Sequence, residues 1–320
     1  MNKYLKLFLA STLSAAGLYT AFSGENFSSL FNEIYKVNYM GVITASIVLL
    51  FSCYIRAYRW KLLIDPLEKI PLKKIFASTM IGYFGNGILA FRLGELLKAY
   101  SLSKNRSIQV SEVFGTVIVE RVLDLLMVLL LFFFVIPWYP FDNDLLRLAI
   151  ITFIVLIFVL SILSGLVIYF DLIKKIEKRV SKLSFIKSVL SFAKDAIKGI
   201  KTIFENKNKN KILFLSLFLW LMYIAITVLL LDSCGIELNL SNSIIIFILG
   251  SLSLGIPALP GSAGTYDASV KYGLIVLFSI DSSQALNYAL ISHAVSFFPL
   301  VFIGAFYFIS SNLSLKDIEQ

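Results

Sequence analysis

The chain has 320 residues, of which 58% are hydrophobic and only 15% are charged, a composition outside the range of soluble globular proteins. Several apolar runs of about 17 to 25 residues are long enough to cross a bilayer core of about 30 Å as helices. We therefore predict an all-α integral membrane protein of the cell membrane, a polytopic helix bundle forming one domain over residues 1–320. Because the net charge of +9 comes from Lys and Arg between the apolar runs, it indicates topology and not a nucleic-acid partner.

The first apolar run, residues 4–22, follows Lys3. A cleaved signal peptide is the alternative to a transmembrane helix here, but the run lacks the compact apolar core of about 7 to 15 residues that such peptides have. We expect an uncleaved helix with the N-terminus in the cytoplasm, because basic residues flank its first end. Residues 23–37 have no excess of basic residues and are predicted to be an external loop.

Residues 39–55 are predicted to return to the cytoplasmic side. They are followed by Arg56, Arg59 and Lys61, with Trp60 among them. Basic residues and an interfacial indole at the end of an apolar run are typical of a cytoplasmic membrane boundary. We therefore predict that this cluster anchors the helix at the interface.

An apolar stretch from about residue 75 to residue 91 carries Asn86 and is followed closely by Arg92 and Glu95. An ionisable side chain near the bilayer centre costs about 3 kcal/mol on insertion scales, so it normally faces a partner or a water-filled cavity. Both flanks of the stretch are basic, which favours a re-entrant hairpin that enters from the cytoplasm and returns there. We predict its turn near Gly85 to Gly87.

The next predicted crossing, residues 113–136, carries Glu120, Arg121 and Asp124. This spacing puts Glu120 and Asp124 on one helical face, and Arg121 is three residues from Asp124, so a local ion pair is available. Charges at this depth require a shielded interior.

Residues 137–144 are predicted to form an external turn, and residues 148–170 to cross back to the cytoplasm. The segment 171–211 has twelve basic and four acidic residues, a net charge of +8, together with an apolar stripe at helical spacing. We predict amphipathic helices on the inner leaflet. A docking face for a partner protein is the alternative.

Residues 212–231 are predicted to cross outward, and the external loop that follows contains only acids among its charged residues. Residues 243–280 are apolar but are interrupted by prolines and glycines around position 260, so we predict a second re-entrant hairpin, entering from outside, whose last helix begins near Thr265. Residues 288–309 make the last crossing, to a cytoplasmic C-terminus. The two cysteines, Cys53 and Cys234, are expected to be packing residues, and the only histidine, His293, to be a hydrogen-bonded or pore-facing residue.

Residues 38–136 and 212–309 each have the order crossing, hairpin, crossing, with opposite orientation. Inverted repeats with interrupted helices are the pattern of secondary transporters, whose sites lie where the broken helices meet. Arg92 suits a phosphate group because its planar fork donates two hydrogen bonds and stays charged. Backbone amides at residues 261–264 would add an anion site at a helix N-terminus. Glu95 and Asp267 would balance Arg92 in the absence of substrate, or would bind a cationic headgroup or a coupling proton.

Three motifs follow one another along the chain: Asn86-x5-Arg92-x-Gly94-Glu95-Leu96-x2-Ala99-Tyr100, then Glu120-Arg121-x2-Asp124, then Pro260-Gly261-x2-Gly264-x-Tyr266-Asp267. In this order they resemble the membrane domain of lysylphosphatidylglycerol synthases, which is held to move a lipid across the bilayer. The resemblance runs from about residue 5 to residue 309. The sequence departs from the family pattern at Ala90, Ser262 and Asp267, where proline, glycine and glutamate are usual. The aminoacyl-transferase domain of the fused members does not follow, so we expect no synthesis of aminoacylated lipid.

We therefore predict a flippase-like transporter, not an enzyme, for an anionic or aminoacylated phospholipid or a polyprenyl-phosphate-linked lipid, with no cofactor and no metal. A lipid-headgroup transferase using Glu95 and Asp267, and a scaffold for a separately encoded lipid-modifying enzyme, are the alternatives. Membrane lipids are the expected partners, and the oligomeric state is left open. The predicted substrate-binding residues are Asn86, Arg92, Glu95, Tyr100, Glu120, Arg121, Asp124, Gly261, Gly264, Tyr266 and Asp267.

Overall fold

A computed structural model describes residues 3–89, 92–135, 206–255, 260–311 and 313. The described part is helical, without strands, and its helices are numbered here in chain order. They are α1 (Lys3–Phe22), α2 (Phe27–Lys36), α3 (Tyr39–Ile64), α4 (Leu72–Ile88), α5 (Gly94–Ser103), α6 (Val110–Val135), α7 (Lys209–Ser233), α8 (Leu240–Ser253), α9 (Thr265–Phe278) and α10 (Ser282–Ser310). The all-α membrane fold is thereby confirmed. The predictions for residues 137–144, 148–170 and most of 171–211 lie outside the described residues.

Three of the described helices, α3, α7 and α10, are long and apolar enough to cross a membrane. The helix α6 is equally long, with 26 residues, but it carries the charged motif near its middle. The predicted crossings at 4–22, 113–136, 212–231 and 288–309 correspond to α1, α6, α7 and α10. Residues 39–55 form only the first part of α3, which continues to Ile64.

The predicted external loop, residues 23–37, contains the helix α2. Asn26 caps it, because the Asn26 side chain accepts a hydrogen bond from the backbone N–H of Ser28 at 2.9 Å. Asp281 caps α10 in the same way, accepting from the N–H groups of Ser283 and Gln284. Loop residues with short polar side chains therefore set where both helices begin.

The helices α4 and α5 pack against each other as a helical hairpin, in which α4 ends at Ile88 and α5 begins at Gly94. The predicted turn near Gly85 to Gly87 is wrong, because α4 continues through these glycines to Ile88. The glycines serve close packing instead. A Cβ added to Gly94 would lie 2.2 Å from the carbonyl oxygen of Gly82, and one added to Gly85 would lie 2.6 Å from the Cα of Gly94.

The helices α8 and α9 form the second hairpin, and each has only 14 residues, about 21 Å of helix, too short to span the bilayer core. Between them, Gly261, Ser262 and Gly264 all have positive φ, at 72°, 59° and 86°. The helix α9 begins at Thr265, as predicted. That both hairpins enter and leave on one side of the membrane, in an inverted repeat, stays a prediction.

The long helix α10 holds the two hairpins together, because α4 of the first hairpin and α9 of the second both pack along it. The helix α3 packs along α7, and α1 packs on α9. Two large apolar clusters fill most of the interior. The first includes Cys53 on α3, and the second includes Ala57 on the same helix. Arg56 lies between these two positions, which places a charged layer inside the apolar bundle.

Candidate functional site

A cavity of about 740 Å³ lies between the two hairpins. Its walls bring together seven of the predicted site residues. The walls also include Arg56 of α3, Trp220 and Tyr223 of α7, and Ser292, His293 and Ser296 of α10. The predicted residues at the wall are Asn86, Arg92, Glu95, Arg121, Asp124, Gly261 and Tyr266. Residues from distant parts of the chain therefore share one cavity, in which polar groups of the first hairpin and α6 face the second hairpin and α10 across a mainly apolar lining.

Asp124 is the centre of an ion-pair network at the cavity wall. One of its carboxylate oxygens lies 3.2 Å from Arg56 and 3.4 Å from Arg121, and the other lies 2.9 Å from Arg59. Arg121 also lies 3.7 Å from Glu95, on the first hairpin. The predicted i,i+3 pair of Arg121 with Asp124 is present, and it forms one part of a network that joins α3, α5 and α6.

Glu120 continues the network away from the cavity. Its carboxylate is fully buried, lies 3.5 Å from Arg59, and accepts a short hydrogen bond from the ammonium group of Lys98. The Lys98 ammonium also lies 3.9 Å from the ring centre of Trp60. Glu120 is thus a support of the network behind the wall and does not line the cavity.

The interfacial interpretation of Arg56, Arg59 and Trp60 is wrong. Arg59 and Trp60 are 0% exposed and Arg56 is 7% exposed. Their polar groups point into the bundle, where the Trp60 indole N–H donates to the Thr116 hydroxyl at 2.9 Å. The physical reason is that the buried acids on α6 need cationic partners, and these residues of α3 supply them.

The network has more positive than negative charge. Four cations, Arg56, Arg59, Lys98 and Arg121, contact three carboxylates, those of Glu95, Glu120 and Asp124. The four cations outnumber the three carboxylates by one, and Arg92 adds another cation at the cavity wall. The wall formed by the first hairpin and α6 is therefore a site for a negative group.

Arg92 occupies the break between α4 and α5 with a φ of 55°, an uncommon conformation for a residue with a side chain. Within the described residues it forms no ion pair, neither with Glu95 nor with Asp267. Glu95 is paired with Arg121 instead. The guanidinium of Arg92 is thereby left available at the cavity wall.

The opposite wall is organised by His293, which lies between two oxygen atoms. Its Nδ1 is 2.8 Å from Asp267 Oδ1, and its Nε2 is 3.0 Å from the carbonyl oxygen of Gly261. The other carboxylate oxygen of Asp267 accepts from the backbone N–H of Gly264 at 2.9 Å. The expectation that His293 is hydrogen-bonded or pore-facing is confirmed in its first alternative, and the ring lines the cavity. The amide of Gly264, by contrast, is already bonded and is not free for an anion.

Two further predicted residues lie away from the cavity wall. Tyr100 lies on α5, outside the lining, and Gly264 packs on α1, where an added Cβ would be 2.3 Å from the carbonyl oxygen of Ser14. Asp267 reaches the cavity only through His293. Gly264 and Asp267 thus hold elements in place around the cavity.

Two buried donors at the cavity wall have no hydrogen-bond partner within the described residues. They are the indole N–H of Trp220, a residue that is 5% exposed, and the Nε–H of Arg121. Buried polar groups of this kind normally bond to something. A ligand with oxygen acceptors would satisfy both.

A buried ion pair between Lys271 and Glu25 was not predicted from the sequence. The Lys271 ammonium lies 2.5 Å from the Glu25 carboxylate and 2.6 Å from the carbonyl oxygen of Ala21, and Ser282 donates to the same carboxylate. This ion pair ties the loop between α1 and α2 to the second hairpin. In the described ranges, no group of three His, Cys, Asp or Glu side chains is placed to hold a metal ion.

Comparison with known proteins gives consistent matches. The model of a family described as the lysylphosphatidylglycerol synthase TM region matches residues 7–304. The chain is 25% identical to the UPF0104 membrane protein MJ1078 of Methanocaldococcus jannaschii over 240 residues, 73% of this chain and 97% of that protein. It is 33% identical to UPF0104 membrane protein MJ1595 of the same organism over 168 residues, 51% of this chain and 49% of that protein. No solved structure matches significantly.

Proposed function

The chain belongs to the family of the lysylphosphatidylglycerol synthase TM region, and on that basis we propose that it moves an anionic lipid across the membrane through the cavity between its hairpins. The lipid is a phospholipid or a polyprenyl-phosphate-linked lipid, and no bond in it is made or broken. The cell membrane is the proposed location, with both chain termini in the cytoplasm.

The observation that carries this proposal is the positive charge of the first wall, with Arg92 free of ion pairs within the described residues. Leaving a guanidinium at membrane depth without a counter-charge is costly. A phosphate group would supply that charge, and the Arg92 fork would bind it with two parallel hydrogen bonds. The unpaired indole N–H of Trp220 would contact a further phosphate oxygen.

A second, smaller groove supports a lipid and not a soluble anion. This groove, of about 300 Å³, shares Arg92, Glu95 and Arg121 with the cavity. Its other lining residues are apolar: Leu93, Leu96, Phe114, Val117 and Ile118. An amphiphile would place its headgroup in the cavity and a hydrocarbon chain in the groove, with the charged residues at the junction.

Proteoliposomes containing a fluorescent phosphatidylglycerol test the proposal. We expect the wild-type protein to move the lipid between leaflets faster than empty liposomes do, and the Arg92→Ala variant to lose most of this rate. Arg106→Ala is the matched control, because Arg106 forms its ion pair with Glu68 at 3.1 Å, away from the cavity. Rates equal to those of empty liposomes for phosphatidylglycerol and for a polyprenyl phosphate would refute the proposal.

A further inference from the structure

The hydrogen bonds of His293 determine how many protons the pair of His293 and Asp267 carries. The ring has a carboxylate oxygen at 2.8 Å from one nitrogen and a carbonyl oxygen at 3.0 Å from the other. A carbonyl oxygen can only accept, so Nε2 must carry a proton. The contact between Nδ1 and the carboxylate holds a second proton, on either partner. The observed geometry is therefore that of a neutral pair, which is an imidazolium with a carboxylate or the equivalent tautomer.

Loss of one proton from this pair has a definite structural consequence. The remaining proton stays between Nδ1 and the carboxylate, because a hydrogen bond to a charged acceptor is the stronger one. The proton lost to cavity water is then the one on Nε2, whose lone pair would face the lone pairs of the Gly261 carbonyl oxygen. The attraction that holds this carbonyl becomes a repulsion.

The carbonyl belongs to a turn that is already in an uncommon conformation. Gly261 and Ser262 both have positive φ, and this turn is the break of the second hairpin at the cavity wall. The aromatic ring of Phe297 closes over Gly261, since an added Cβ would lie 2.5 Å from it. The ring holds the Gly261 carbonyl, while the Thr265 hydroxyl donates to the Ser262 carbonyl oxygen at 3.1 Å. A turn of which one end is held by a titratable ring is suited to two arrangements.

Among the described residues, the groups packed around the His293 ring other than Asp267 are uncharged. On α9 the ring of Tyr266 lies 5.3 Å from that of His293, and its hydroxyl donates to Ser292. On α10 the neighbours are Ser292, Ser296 and Phe297, and the turn contributes only backbone and Ser262. The charged groups that share the cavity are on its other wall: Arg56, Arg92, Glu95, Arg121 and Asp124. Within the described residues, Asp267 is thus the charged group in contact with the ring.

We propose that His293 and Asp267 form a proton-binding site that holds the Gly261 turn, and that the proton binds together with the anionic headgroup. The inference rests on the proposed function, and it names the coupling ion. When the pair loses its proton, the cavity loses one positive charge, so an anion binds less tightly. By reciprocity, the bound anion raises the affinity of the pair for the proton by the same factor.

The first part of the test needs no anionic lipid, and the nanodiscs contain phosphatidylcholine alone. Because His293 is the only histidine, nitrogen NMR of ¹⁵N-histidine-labelled protein in nanodiscs reports its protonation directly. We expect the ring to lose one proton, from Nε2, between pH 5 and 9, and Asp267→Asn to shift this titration to lower pH. A ring that keeps one protonation state over this range would overturn the proton site.

Thiol labelling follows the turn. Ser262→Cys places a reporter on it, and Ser251→Cys places a matched control on α8, where Ser251 lines the same cavity. The native cysteines are buried, and burial raises the pKa of the Cys234 thiol to about 12, so it reacts slowly. We expect the ratio of maleimide labelling rates, reporter over control, to rise with the loss of the proton, and to stay constant when His293→Gln is added. A constant ratio with His293 present would contradict the role of the turn.

The last part measures linkage with phosphatidylglycerol as the probe. We expect its dissociation constant to rise by about fivefold or more from pH 5.5 to pH 8.5 in the wild-type protein, within the usual range of coupling, and by less in His293→Gln. Equal changes in both proteins would overturn the coupling while leaving lipid binding in place. Absence of phosphatidylglycerol binding at both pH values would contradict the proposed function and the joint binding of proton and headgroup. The NMR and thiol-labelling measurements would still show whether His293 and Asp267 form a proton-binding site.

Discussion

Asp124→Asn tests whether the ion-pair network holds the bundle together. The substitution keeps the size of the side chain but removes the charge that binds Arg56, Arg59 and Arg121, at 3.2, 2.9 and 3.4 Å. Removing one partner of a buried ion pair costs about 3 to 5 kcal/mol, because the remaining charge is left uncompensated. For a chain of this size, with an unfolding entropy of about 2.1 cal/mol/K per residue, that loss corresponds to a decrease in the unfolding temperature of about 4 to 8 °C.

The assay is thermal unfolding of the purified protein in detergent, followed by circular dichroism. Asp65→Asn is the matched control, because Asp65 pairs at the end of α3 with Lys61 and with Lys69, whose side chain is 79% exposed. Ion pairs with such exposed partners contribute about 1 kcal/mol or less. Equal decreases for the two variants, or an unchanged unfolding temperature for Asp124→Asn, would refute the account of the network.

Three more variants test other parts of the structure. Gly94→Ala should separate α4 from α5, because its Cβ would lie 2.2 Å from a carbonyl oxygen, and should lower both the unfolding temperature and the transport rate. Gly24→Ala is the control: nothing lies within 4 Å of its added Cβ, so it should cost only about 1 kcal/mol for its positive φ. Equal effects of the two substitutions in melting curves would contradict this. Lys271→Met should lower the free energy of unfolding by about 3 to 5 kcal/mol, and the added substitution Glu25→Gln should restore part of this loss. A double-mutant cycle of unfolding free energies measures both effects. Simple additivity of the two substitutions would show that the pair is not coupled. Trp220→Phe should weaken phosphatidylglycerol binding, because it removes the unpaired indole N–H, and should lower the unfolding temperature slightly, because Trp220 also packs in an apolar cluster. Unchanged affinity would remove Trp220 from the site.

The sequence was sufficient to predict which segments converge at the cavity. Asn86, Arg92 and Glu95 stand out because polar groups in an apolar stretch need a reason to be there, and Gly261 stands out because it follows a proline that interrupts an apolar run. The structure places all four at one cavity. Apolar segments contain few polar residues, and each of these needs a polar partner. This need strongly restricts which segments can lie next to each other.

The cationic side of the network could not be predicted in the same way. Arg56 and Arg59 follow an apolar run, and basic residues in that place occur equally at a membrane boundary and inside a bundle. The signal that distinguishes the two is the presence of unmatched acids elsewhere: Glu120 and Asp124 needed more cations than Arg121 supplies. The same ambiguity applies to Gly85, because a glycine in a membrane helix can break it or let another helix approach, and here it does the second.

The central claim is that the cavity takes a negatively charged lipid headgroup, and native mass spectrometry of lipid binding tests it most directly. We predict that the protein retains phosphatidylglycerol in preference to phosphatidylcholine of the same chain length. The preference should be lost in Arg92→Ala and kept in Arg106→Ala. Equal retention of the two lipids by the wild-type protein, or a preference that survives Arg92→Ala unchanged, would contradict the claim.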